Sequence, residues 1–132
     1  MNNERLPVVT PIAIGTRVSS TVVVLPGIYF RKHSRIKRVW FADTTGIVKS
    51  TTNYITAILQ DLSSVSYAKV ATSDSAAVAN TQLAMPLTTP VGDTTNDPEA
   101  DVPAGTMLNL SIAGIGTAVL TNSVCLVEWY PL

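Results

Sequence analysis

Apolar residues in this chain never recur at the three- and four-residue spacing of a helix face. Across residues 8–130 they come instead in short runs of roughly five to ten residues, rich in Val, Ile and Thr, separated by Gly, Pro, Asn and Asp. A chain patterned this way can bury its apolar side chains only by stacking pleated sheets. The expected fold is all-β, an antiparallel β-sandwich or jelly roll of about eight to ten strands with an N-terminal arm. The strands are expected at residues 8–14, 17–25, 28–30, 34–43, 53–61, 65–72, 83–89, 106–113, 117–120 and 124–130. Turns are expected at Gly15, Pro26-Gly27, Gly114-Ile115-Gly116 and Thr121-Asn122-Ser123.

Residues 1–14 read as an arm or a first strand, and residues 15–132 as a single β-sandwich domain. Alternation assigns faces within it. Ile55, Ala57 and Leu59 share one side of their strand, and so do Leu108, Leu110 and Ile112. In residues 34–43, Ile36, Trp40 and Ala42 fall opposite Lys37, Val39 and Phe41. Residues 91–103, rich in Asp, Thr, Asn and Pro, read as a long loop.

Only 14 % of the residues are charged, against about a quarter in an ordinary domain. The surface must therefore be largely Thr, Ser and Asn, a composition suited to burial against other subunits. The formal net charge is zero, yet its distribution is lopsided. Residues 1–38 hold seven basic and one acidic residue, and residues 39–132 hold two basic and eight acidic. Arg31, Lys32, Arg35, Lys37 and Arg38, with His33 among them, form the candidate interface. Asp97, Glu99 and Asp101, with Asp93 nearby, form its acidic counterpart, which reads first as a plain surface loop and second as an ion-pair partner for the basic patch of an adjacent copy. Calcium is a weaker reading of those acids, because their spacing matches no calcium loop. Overall neutrality argues against nucleic acid, whose binding is dominated by phosphate neutralisation.

Catalytic equipment is sparse. His33 is the sole histidine and Cys125 the sole cysteine. Histidine-ligated zinc sites, Cys–His pairs and serine triads thus all lack components within one chain. Cys125 lies in an apolar run and reads as a core residue. Among the acids, only Glu128 reads as placed on a strand face that packs inward. Gly114-x-Gly116 lacks the helix that a phosphate-cradling loop requires. No membrane span and no leader segment are legible. The expectation is a protein without catalytic activity, cofactor or metal.

Three stretches carry a family resemblance: Arg35-Ile36-Lys37-Arg38-Val39-Trp40, Asn53-Tyr54-Ile55-Thr56-Ala57-Ile58-Leu59-Gln60 and Val102-Pro103-Ala104-Gly105-Thr106-Met107-Leu108-Asn109-Leu110. With Gly116-Thr117-Ala118 and the terminal Val-x-Leu-Val-Glu-Trp strand, residues 34–132 resemble the head decoration (cement) proteins of tailed bacteriophages. The likeness is one of style. It implies a virion protein made in the host cytoplasm and attached to the phage head, often as a homotrimer, with the major capsid protein as partner. Phage host-recognition modules on head or tail fibres, which bind glycans, share the same style, and a jelly-roll capsid subunit is a further alternative.

Overall fold

The structure, a computed structural model, describes residues 6–18 and 22–132. The described residues form ten strands: β1 (Val8–Val18), β2 (Val23–Phe30), β3 (Ser34–Ala42), β4 (Tyr54–Asp61), β5 (Ser66–Ala71), β6 (Leu83–Ala84), β7 (Val91–Asp93), β8 (Asp97–Val102), β9 (Thr106–Ile115) and β10 (Val119–Pro131). One sheet runs β1-β10-β3-β8-β7, with β6 also on β3, and the other runs β2-β9-β4-β5.

The pairing has a simple logic. β1 pairs with β10, β2 with β9, β3 with β8 and β4 with β5, all antiparallel. The chain is thus one long hairpin ribbon, rolled so that successive pairs fall into alternate sheets. This is a jelly roll, the two-sheet architecture the alternating pattern predicts. The short strands β6 and β7 are additions in the connection from β5 to β8.

The core lies between the sheets. Ile12, Ile14, Ile36, Val39, Phe41, Cys125 and Val127 face inward from one, and Ile28, Phe30, Ile55, Ala57, Leu59, Leu108, Leu110 and Ile112 from the other. The faces expected for β4 and β9 are the observed ones, because both strands alternate without interruption.

Three expected turns and one expected loop need correction, and in each a local irregularity or a long-range pairing explains the difference. Gly15 does not turn the chain. It sits inside β1 at φ +78°, flanked by register shifts on both sides, so the strand kinks and continues. Pro26-Gly27 likewise lies inside β2, at a shift between Pro26 and Ile28. Thr121-Asn122-Ser123 lies within β10, where Asn122 takes φ +44°. Residues 91–103 are not a loop: β7 and β8 form a hairpin there, β8 pairs alongside β3, and Ala100 and Val102 are fully buried in the core. The expected arm residues 1–5, and residues 19–21 of the expected second strand, lie outside the described residues.

In β3 the expected faces are partly reversed. Val39 pairs with Val127 and Arg38 with Glu128, but the next pair is Ile36 with Trp129. Lys37 is therefore an extra residue in a bulge, and Ile36, Val39 and Phe41 all point inward while Trp40 and Ala42 point outward.

Candidate docking surface

The basic segment divides in two. Arg35 sits on β3 directly opposite Asp101 of β8. Its Nε donates to Asp101 Oδ1 at 2.9 Å, and Nη1 lies 3.6 Å from Glu99 Oε1. His33 Nε2 is 2.6 Å from the same Asp101 oxygen. Glu99 also accepts a hydrogen bond from the Tyr130 hydroxyl at 2.9 Å. Two of the three candidate interface acids, Glu99 and Asp101, are thus bonded within their own chain. The cause is the β7–β8 hairpin, which lays Glu99 and Asp101 alongside β3. Asp97, at the start of β8, is exposed and opposite Asp93.

The electrostatics follow the geometry. The hydrogen bond to Asp101 raises the Arg35 guanidinium above its ordinary value. Burial pushes the Asp101 carboxyl up, but the hydrogen bonds from Arg35 and His33 outweigh it and hold the group below its ordinary value. Tyr130 is raised by burial and by its bond to Glu99. Cys125 is buried, its Sγ 4.0 Å from Met85 Sδ, and burial pushes its thiol up to about 12. Such a thiol stays protonated and is a packing group, not a nucleophile.

The remaining basic residues form no ion pair among the described residues. Lys37 and Arg38 sit at the β3 bulge, Lys37 partly exposed and Arg38 exposed. Arg31 and Lys32, in the connection from β2 to β3, are exposed and line a cleft of about 510 Å³ with Tyr29, Ser34, Trp129 and Pro131.

The alternation that fills the core also leaves an outward face on the β1-β10-β3 layer. Register places Pro11, Leu126, Trp40 and Ala84 side by side across four strands, and Ala13, Val124 and Ala42 on the next rung. Pro11, Ala13 and Ala84 are exposed, and the other four are partly exposed. Ala42, Val124 and Leu126 open into a shallow depression of about 280 Å³ bordered by Asn80, Gln82 and Asn122. One direction along the sheet leads to Arg38 and Glu128, then to the Tyr130–Arg35–Asp101 rung. This outer face therefore has an apolar half and a polar half. The other sheet's outer face, across Val24, Ser111, Ile58 and Lys69, has Lys69 as the one charge on that rung.

One structural site escaped the sequence altogether. Asp43, just past β3, is 1 % exposed, so the only acid expected to face inward, Glu128, is the wrong one; Glu128 points outward and is partly exposed. Asp43 Oδ1 accepts from the Thr121 amide at 2.7 Å and from the Ser123 hydroxyl, and Oδ2 accepts from the Thr45 and Gly46 amides at 3.1 and 2.8 Å. With every donor satisfied, the carboxylate serves as a knot between β10 and the turn after β3. Its signal in sequence is slight: Asp before Thr-Thr-Gly is a turn signature, but its β10 partners are 78 and 80 residues away.

Among the described residues no three His, Cys, Asp or Glu side chains converge to hold a metal ion, and no helix is long and apolar enough to cross a membrane. No family model matches the chain, and no curated protein matches it. It is similar to a solved structure described as "Bacillus endospore appendages form a novel family of disulfide-linked pili". That match is at 11 % identity and a TM-score of 0.43, covering 100 % of this chain and 94 % of the other.

Proposed function

We propose that this protein is a structural subunit, without catalytic activity, that attaches in many copies to a larger preformed shell and stabilises it. The shell best supported is a tailed-phage head, through the resemblance of residues 34–132 to head decoration proteins. The observation that carries the structural role is the apolar half of the β1-β10-β3 outer face. Its apolar residues are contiguous across four strands, and contiguous outward apolar surface marks sites of interaction. Its occupant is a capsid surface with an apolar centre and an acidic rim, because unpaired Lys37 and Arg38 border the patch on one side. Several simultaneous contacts to a repeating lattice make each further contact intramolecular, so weak individual contacts add up to firm attachment.

The test is co-sedimentation of purified protein with expanded, mature heads and with precursor shells. Binding to mature heads, weakened by salt and by a combined Lys37→Gln, Arg38→Gln change, is the expected outcome. Equal indifference to both kinds of particle removes the decoration reading. Closed shells formed by the protein unaided would instead make it a coat subunit.

A further inference from the structure

The cleft between Tyr29 and Trp129 has features the docking face does not explain. It lies at the sandwich end where β2 passes into β3 and β10 runs alongside, lined by two aromatic rings, a proline, a serine and two cations. Its volume, about 510 Å³, falls within the range of small-ligand sites. One wall is fixed in advance. The Trp129 indole N–H donates to Thr10 Oγ1 at 3.0 Å, and its ring meets Phe30 edge-on with centroids 4.9 Å apart. The floor is fixed as well, since Ser34 is 1 % exposed and its hydroxyl donates to the Lys32 carbonyl at 2.8 Å. Against these rigid parts stand Tyr29, 58 % exposed although aromatic, and the charged heads of Arg31 and Lys32.

The distribution of charge sets this site apart. Residues His33 and Arg35 are drawn to Asp101 and Glu99 on the β8 side, while Arg31 and Lys32 are left on the cleft side without an acid. We infer that the cleft binds an acidic saccharide, its ring packed against Tyr29 and Trp129 and its carboxylate or phosphate held by Arg31 and Lys32. The chemistry of each part selects that class. The C–H face of a sugar ring is apolar enough to lie on an aromatic ring, its hydroxyls suit a wet, open cleft, and a planar guanidinium grips a carboxylate through two parallel hydrogen bonds.

The experiment is a titration of the full chain, followed through the Trp129 indole N–H resonance. The probes are a hexuronate oligosaccharide, a neutral glucan oligosaccharide of equal length and an acidic peptide. The uronate should shift the resonance saturably, the neutral glucan should bind at least about tenfold more weakly, and the peptide should not compete. An Arg31→Gln, Lys32→Gln variant should lose about tenfold or more in uronate affinity, as expected for two charge-assisted contacts. Tyr29→Ala should weaken it further, and Lys49→Gln should leave it unchanged. Both cleft variants alter exposed side chains, so folding is checked by an unshifted amide spectrum elsewhere. No uronate binding up to about 10 mM, equal affinity in the double variant, or preference for the peptide would each overturn the inference. The outcome is separate from attachment to heads, which uses the Trp40–Leu126 face.

Discussion

Asp43 and Asp101 are both carboxylates in hydrogen-bonded networks, yet they do different work because their surroundings differ. Asp43 is sealed from water and binds four donors, of which Ser123 is itself buried. Asp43→Ala should cost about 3 kcal/mol or more, since each buried donor left unpaired costs about 1–3 kcal/mol. Asp43→Asn should recover little, because an amide nitrogen cannot accept from the Thr45 and Gly46 amides or, if flipped, from Thr121. Urea unfolding of both variants checks this. Asp101 is 38 % exposed, so solvent screens its pairing with Arg35. Its folded-state value lies below the ordinary 3.8. The pairing therefore stabilises the fold above that pH, and the contribution disappears as pH falls through the lower folded value. The stability difference between the native protein and Arg35→Ala should be constant near neutrality and shrink in acid. A difference that grows on acidification would contradict the assignment.

Strands β4 and β9 could be read from the chain because every second residue faces the core. β3 could be recognised as a strand, but its faces could not, since no residue type announces the bulge at Lys37. Residues 91–103 read as a loop for a chemical reason. β8 buries only the small side chains Ala100 and Val102, and its outward acids give it the composition of a loop. Pro26-Gly27 has the composition of a turn but serves a close approach. A Cβ on Gly27 would run into the Leu108 carbonyl oxygen and lie 3.1 Å from Ile12 Cδ1. Gly27→Ala should therefore destabilise by about 1–3 kcal/mol, as overpacking does, with thermal unfolding as the measure. Unchanged stability would mean that β2 and β9 separate there without cost. The candidate site was legible as a basic cluster and an acidic cluster. Which members neutralise one another was not, since that depends on β8 lying beside β3.

For the molecule as a whole, low charge and a two-faced sandwich point the same way. A jelly roll fills its interior from both sheets, and any apolar residue beyond that need must look outward. Leu126→Glu, placed in the middle of the Pro11–Leu126–Trp40–Ala84 rung, should abolish attachment to a partner shell while shifting the unfolding midpoint little, because Leu126 does not face the core. Loss of attachment with a native-like amide spectrum supports the docking face, and retained attachment moves the contact elsewhere.

The rolled-ribbon pairing of β1 with β10 also has a consequence in time. Val8 finds its partner only at Trp129. During synthesis β1 must wait for about 110 more residues, on the order of 5–20 s at ordinary elongation rates. Throughout that interval a Val- and Ile-rich segment has neither neighbour nor cover. Yield in the cell should therefore depend on holdase chaperones and on translation speed more than the finished protein's stability would indicate.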